Sequence, residues 1–334
     1  MVLGNMALKN GVLLFVLIIL LGCTQPPKKE LAPVKFGLSW VYQSQFAGEY
    51  YADVNGLYED EGLNVTLFEG SVDIDPVEKL ESGEYDFAIL QPDSLLVARE
   101  NGKQVVAVAV TYRISPIVYV SPKEGTVQYL KPEDLKGATI GVAYSEDYPL
   151  KALLKNHGID PEKDVNIVQR DYTFDKLYSG EIDVSGAWIT DEIQTERGKG
   201  HEFNIIHPSE YGVIIYADVI ATTEDTINQK PELVKKVISA TLAGWNGAFG
   251  NIEESSKLTQ MYDPSVDPTH EYDILDASYP LIFDGKRQIG WMDRGDWQQM
   301  ADIYFNVGVL SKKADVDSAY NNDFVEEYYS QLGG

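Results

Sequence analysis

Cysteine is almost missing from this chain: among 334 residues only Cys23 is one. A single thiol excludes a disulfide framework and a thiolate metal cluster. Cys23 closes an N-terminal apolar run, so no cysteine nucleophile is left for the body. Histidine is scarce as well, and His157, His201, His207 and His270 lie scattered without metal-ligand spacing. No metal site is predicted. Basic residues are outnumbered, with 27 Lys and Arg against 52 Asp and Glu and a formal net charge of −25. Such a body repels phosphate backbones, which excludes a nucleic-acid partner. It favours solubility and does not name a ligand. No serine nucleophile elbow, phosphate-binding glycine loop or zinc signature is present. No repeat of fixed period and no long low-complexity segment occurs.

The apolar run at residues 11–21 is short. As a helix it reaches only ~16 Å, against ~30 Å for a bilayer core. It reads as the core of a signal peptide at residues 1–22. Leu20, Leu21, Gly22 and Cys23 resemble a lipobox, which predicts cleavage before Cys23 and a lipid on its sulfur. An ordinary signal and an uncleaved anchor are the alternatives, and Leu21 is larger than the residue usual there. Residues 23–33 continue polar and proline-rich, as a lipid-anchor tether. The expected location is the extracytoplasmic face of the cell membrane.

What is present in the body is alternation. Residues 34–38, 63–68, 85–90 and 105–112 read as strands, with helices at 46–60, 76–82 and 95–101. Further strands are expected at 117–120, 138–142, 165–169, 184–188, 204–206 and 219–222, with helices at 148–157 and 173–179. Lys131 to Gly137 reads as a turn capped by Asp134 or as a polar surface turn. From Pro231 the chain is mostly helical, and Leu233, Val234, Val237, Ile238, Thr241, Leu242 and Trp245 recur at helical spacing. Strands alternating with helices predict an α/β fold with largely parallel sheets. The order predicts two lobes, residues 34–112 with 218–334 and residues 113–217, joined by crossings near 112–117 and 211–219. Ligands of open α/β sheets lie beyond the carboxyl ends of strands. Two such edges would face each other across a cleft that closes by hinge motion.

The stretch 35–67 places a loop with Trp40, Tyr42, Gln43, Ser44, Gln45 and Phe46 directly after the first strand. Together with segments 86–102, 105–116, 135–142, 186–192, 209–218 and 231–245, it resembles the solute-binding proteins of ABC importers. The resemblance lies with the branch that binds nitrate, sulfonates and thiamine-precursor pyrimidines, and with the riboflavin binders. It implies a two-lobed type II periplasmic-binding-protein fold, each lobe a mixed, mostly parallel sheet flanked by helices. It also implies a permease and its ATPase as partners. No cofactor is expected, and the chain is read as a monomer.

The candidate ligand residues follow strand ends and crossings. Trp40 and Tyr42 offer ring faces for stacking, with core packing as the alternative for either. Gln45 offers a donor and an acceptor, and Phe46 is expected under the helix. Gln91 opens a helix at which Asp93 or Ser94 serves as cap. Tyr112 and Ser115 lie at the first crossing, where Arg113 is expected to pair with a carboxylate. Tyr144 and Ser145 follow a strand at a loop where related proteins contact ligand. Tyr172, Trp188 and Glu192 follow later strands, and Glu192 is read as an acceptor for an amino-bearing ring edge. Tyr211 lies at the return crossing, with hinge packing as its alternative. Asp284 to Arg287 and Trp291 are read as surface or loop features.

Many rings and amides, a carboxylate and few cations predict a flat heteroaromatic ligand, a thiamine-precursor pyrimidine such as formylaminopyrimidine, or riboflavin. Nitrate, sulfonate or bicarbonate is the alternative, with helix N-termini as donors. An enzyme is the less favoured reading. The pyrimidine-synthesising branch of the same family uses a lysine and a histidine in a turn matching 88–102, which here contains neither. A sensory or structural surface protein on the same fold is the third class.

Overall fold

The computed structural model describes residues 30–143 and 146–333. The expectations for the signal peptide, for Cys23 and the tether up to residue 29, and for Tyr144 and Ser145 lie outside those residues. Ten strands are described: β1 (Ala32–Gly37), β2 (Leu63–Phe68), β3 (Phe87–Leu90), β4 (Val105–Val110), β5 (Ile117–Pro122), β6 (Thr139–Val142), β7 (Asn166–Gln169), β8 (Val184–Trp188), β9 (Phe203–Ile206) and β10 (Val219–Thr223). They form two five-stranded sheets, ordered β2-β1-β3-β10-β4 and β7-β6-β8-β5-β9.

The two orders are the same plan. In each sheet three parallel strands stand beside one antiparallel strand, β10 in the first and β5 in the second. That antiparallel strand is the first one the chain makes after arriving from the other sheet. β3 and β4 are buried along their whole length. Continuous apolar sequence there reflects a sheet covered on both faces. β2 is covered less evenly and alternates buried and exposed positions until its last residue.

β1 begins at Ala32, so the last residues of the expected tether belong to the first sheet. Pro33 is accommodated because β3 meets β1 only at Phe36 and Gly37, leaving no ladder partner to miss its N–H. The single helix expected over 46–60 is divided into Ala47–Val54 and Leu57–Asp60. Gly56 separates them with φ of 75°, in the left-handed region that glycine tolerates. The turn at Pro132–Leu135 is held by Asp134, whose carboxylate accepts from Leu130 N–H and Lys131 N–H.

Helix Pro231–Gly250 buries the expected stripe of Val234, Val237, Ile238, Leu242 and Trp245 against the first sheet and helix Ala47–Val54. Helix Pro268–Ile282 covers the same core, whereas helix Arg294–Asn306 serves both sheets' cores. Its Trp297, Met300 and Tyr304 pack in a cluster that runs from Leu90 and Val110 to Ile140 and Leu153.

The chain leaves the first sheet after β4 and returns at β10, and the two passages bond to each other. Thr111 N–H donates to the Asp218 carbonyl at 3.0 Å, Ala217 N–H to Tyr112 at 2.9 Å, and Ser115 N–H to Ile215 at 2.8 Å. Arg113 is buried beside them and donates to the carbonyls of Trp291 and Gln288, with Asp293 at 3.5 Å. The loop around Trp291, read as a surface feature, therefore braces the first crossing.

Candidate functional site

A cavity of about 830 Å³ is lined by residues of both sheets' loops. Trp40, beyond the end of β1, lines it from the first sheet, and Trp188, the last residue of β8, lines it from the second. Ser39, Gln43, Gln45 and Gln91 add hydroxyl and amide groups. The volume falls in the range of ~300–1,000 Å³ usual for drug-sized ligands.

The first wall is an amide relay. Asp218, wholly buried just before β10, accepts from Gln45 Nε2 at 2.5 Å and from Ser39 Oγ at 3.2 Å. Gln45 Oε1 in turn accepts from Gln43 Nε2 at 2.7 Å. Burial pushes the Asp218 carboxyl up to about 6, against the hydrogen bonds from Gln45 and Ser39. The Trp40 carbonyl is fixed by Gly70 N–H at 2.9 Å.

The second wall is ionic. Arg170, at the end of β7, lies between Glu146 and Glu192. Its Nε donates to Glu146 Oε2 at 3.0 Å, and Nη1 and Nη2 reach Glu192 at 2.8 and 3.0 Å. Glu146 also accepts from Ala143 N–H at 2.8 Å, and Glu192 from Trp188 N–H at 2.9 Å. Burial opposes the arginine's charge, and the bonds to both glutamates outweigh it and hold the guanidinium protonated. Burial pushes Glu192 up even against Arg170. Gly186 of β8 makes room for the triad, because a Cβ there would lie 2.3 Å from Glu146 Oε2.

The cavity offers an anion little. Its basic lining residues among those described are Lys199 and His201, and both bond Glu196, at 2.7 and 2.6 Å. The helix that Gln91 opens carries Asp93 in its first turn, which opposes a bound anion there.

Six of the twelve expected ligand residues line this cavity: Trp40, Gln45, Gln91, Tyr172, Trp188 and Glu192. Tyr172 is 60 % exposed, with the Arg170 guanidinium carbon 5.6 Å from its ring centre. Glu192 lines the cavity with both oxygens bonded, so it is part of the wall rather than the open acceptor expected. Ser115 lines a separate hollow of about 20 Å³ that shares Gln91 and Trp188, and its Oγ accepts from Ile117 N–H.

Three tyrosines are elsewhere. Tyr42 donates to the Leu67 carbonyl at 3.2 Å and packs on Tyr262, because the loop turns that ring outward from the cavity into the first lobe's core. Tyr112 is buried, with its hydroxyl on Ser278 at 2.7 Å and its ring edge-on to Trp245. Tyr211, in the turn Pro208–Tyr211, packs edge-on against His157. Phe46 is buried in the core beneath the helix, as expected. Gln91 and not Asp93 takes the N-cap position of helix Pro92–Glu100.

Sequence reading passed over Ser39, Glu146, Arg170 and Asp218, and it named Gln43 in the loop without assigning it a role. A signal for the triad was present: Glu146, Arg170 and Glu192 follow β6, β7 and β8, three parallel strands whose carboxyl ends share one edge. No such signal marked Asp218, whose partners are more than 170 residues away.

Residues 43–255 match the family model described as "NMT1/THI5 like". The chain belongs to that family. The chain is similar to the riboflavin-binding protein RibY of Chloroflexus aurantiacus, 28 % identical over 308 residues, covering 88 % of this chain and 86 % of that one. It is also similar to the formylaminopyrimidine-binding protein of Halalkalibacterium halodurans, 25 % identical over 312 residues and covering 85 % and 93 %. Among solved structures it resembles the periplasmic sulfonate-binding protein SsuA of Methylobacillus flagellatus, with a TM-score of 0.71, 20 % identity and coverage of 92 % and 96 %. That likeness carries the fold, the two-lobed α/β architecture of the periplasmic binding proteins. Family membership thus agrees with the sequence resemblance.

Proposed function

We propose that this chain is a solute-binding protein that captures a flat heteroaromatic molecule and delivers it to an ABC importer. The observation that carries this reading is the pairing of Trp40 and Trp188, one from each sheet, in a single cavity with the amides of Gln43, Gln45 and Gln91. Indole faces bind a planar ring by offset stacking, and amides read its polar edge. The two relatives named above bind ligands of this kind, riboflavin and formylaminopyrimidine.

Between them the cavity volume favours riboflavin. About 830 Å³ is far more than one pyrimidine ring fills. Riboflavin is therefore the leading ligand and formylaminopyrimidine the second. One lobe comprises residues 34–112 and 218–334 and the other residues 113–217. The run at 11–21 and Cys23 complete the reading as export followed by lipid attachment on the extracytoplasmic face. The partners are a membrane permease and its ATPase, and the binding protein acts as a monomer.

Calorimetry of the purified protein with riboflavin, formylaminopyrimidine, taurine and nitrate tests the ligand class. Binding confined to the two heteroaromatic compounds is expected. Tight binding of only taurine or nitrate would overturn the reading.

A further inference from the structure

Asp218 is an uncommon residue to find where it is. It is a carboxylate without a cationic partner among the described residues, wholly buried, at the point where both crossings meet the first sheet. Its backbone carbonyl accepts from Thr111 N–H and Thr111 Oγ1, which belong to the outgoing passage. Its side chain reaches the other way, into the ligand loop. Burying an ionised carboxylate without a cation is costly, and a neutral asparagine would fill the same space.

An ionised carboxylate can only accept hydrogen bonds. Asp218 therefore requires Gln45 to turn its NH2 inward, which leaves Gln45 Oε1 on the other side. That oxygen is the acceptor for Gln43 Nε2 at 2.7 Å. Gln43 is thereby fixed with nitrogen toward Gln45 and carbonyl oxygen away from it. One remaining N–H and the Oε1 of Gln43 stay available at a residue that lines the cavity. The polarity of two freely rotatable amides is decided by one buried charge.

We propose that Asp218 is a positioning residue for ligand recognition, and that the relay Asp218–Gln45–Gln43 makes the cleft select a ring edge carrying an N–H donor beside an acceptor, in one orientation. The proposal rests on the heteroaromatic reading above. Both the imide edge of a flavin and the amino edge of a 4-aminopyrimidine have such a pair, so the relay sets orientation within this ligand class. Small oxyanions present acceptors only, and the carbonyl end of Gln43 disfavours them.

The relay carries a consequence for pH. Protonated Asp218 becomes a donor as well as an acceptor, and the inward orientation of Gln45 is no longer enforced. The elevated ionisation range of Asp218, near 6, places this change within accessible pH. The other titratable groups whose fields involve Asp218 are Glu49 of helix Ala47–Val54 and Tyr112 of the outgoing crossing. Burial keeps both neutral below pH 7, raising Glu49 to about 8 and Tyr112 far above its usual range. Ser39 and Gln45, which bond the carboxylate directly, do not titrate.

The test is a titration of wild-type protein and Asp218→Asn with riboflavin and 3-methylriboflavin, read by flavin fluorescence at pH 7.5, and with riboflavin again at pH 5. The 3-methyl derivative lacks the imide donor. Wild type is expected to favour riboflavin over it by about tenfold or more, the worth of one good hydrogen bond. Asp218→Asn should narrow that ratio several-fold, because an asparagine permits either amide orientation. Wild-type affinity for riboflavin should fall several-fold at pH 5, and that of Asp218→Asn should not. Formylaminopyrimidine, measured by calorimetry at the same two pH values, should repeat the pH pattern. An equal loss for both flavins in Asp218→Asn, or a flat wild-type pH profile, would overturn the relay while leaving the ligand class standing. Wild type that binds neither flavin nor pyrimidine would overturn the ligand class and the relay together. The melting temperature of Asp218→Asn, expected at or above wild type at pH 7.5, keeps misfolding out of the comparison.

Discussion

The two walls of the cleft stand on sheets of the same strand order and are held by opposite means. The first wall hangs from one buried carboxylate through neutral amides, and the second is bound by an arginine between two glutamates. In the first wall the carboxyls beneath the site are raised: Asp218 to about 6 and Glu49 to about 8, each chiefly by burial. In the second, burial raises Glu192 as well, but Arg170 keeps its charge. The difference divides labour. Charge-assisted bidentate bonds fix geometry and resist pH, whereas an amide relay can reverse its polarity at small cost. The second wall is braced by charge, and the first is the one proposed to read the ligand.

The comparison breaks most directly at Arg170. Replacing it by Met leaves Glu146 and Glu192 buried without their cation, and a loss of ~3–5 kcal/mol is expected. Thermal unfolding measures this, and a loss below about 1 kcal/mol would mean the triad is not what holds the second wall.

Glu49→Gln probes the opposite property. The folded-state pKa of Glu49, about 8, lies above its ordinary value of 4.5. The protonated carboxyl therefore contributes stability that is present below pH 4.5 and lost as pH rises through 8. Glutamine does not undergo that loss. The variant should gain on wild type between pH 5 and pH 8.5, by roughly 3 kcal/mol over the window. Parallel melting curves across that range would refute it.

A smaller effect is expected from the rings. Trp40→Ala and Trp188→Ala should each weaken riboflavin about tenfold, with little change in melting temperature, because each indole is only part-buried. Loss in one variant alone would assign stacking to a single wall.

The smallest effect joins the two sides. His270 of helix Pro268–Ile282 contacts Asp191 at 3.0 Å, and Asp191 is also a lining residue of the cavity. The hydrogen bond to Asp191 raises the imidazole above its usual range. Its contribution is therefore complete below the ordinary histidine pKa and lost as pH climbs through the raised value. With both groups partly exposed, under ~1 kcal/mol is expected. His270→Gln should remove a slight stabilisation at pH 6 relative to pH 8.5, seen in the melting temperature.

The fold was legible because periodicity and connectivity are local. Apolar runs of four to six residues between helical patterns located the strands, and the order of units indicated two sheets with two crossings. The helix over 46–60 was read too long, since a glycine within a helical pattern does not announce its φ. The site was legible in part. Trp40, Gln45, Gln91 and Trp188 follow strand ends, where position alone suggests a cleft. Tyr42, Tyr112 and Tyr211 have the same chemistry and similar positions, but their orientation depends on distant neighbours such as Tyr262, Ser278 and His157. The relay was not legible for the same reason: Asp218 and Gln45 are far apart in sequence, and no local pattern links them.

Helix Arg294–Asn306 touches both cores, and its Tyr304 meets Tyr148 of helix Asp147–Asn156 edge-on at 6.1 Å. Tyr304 also lines the small hollow beside Gln91 and Trp188. Any rotation of one sheet's body against the other must slide that ring pair. The ring pair would thus gauge such a rotation, and an environment-sensitive dye or a fluorinated tyrosine at Tyr148 would convert it into an optical or NMR signal.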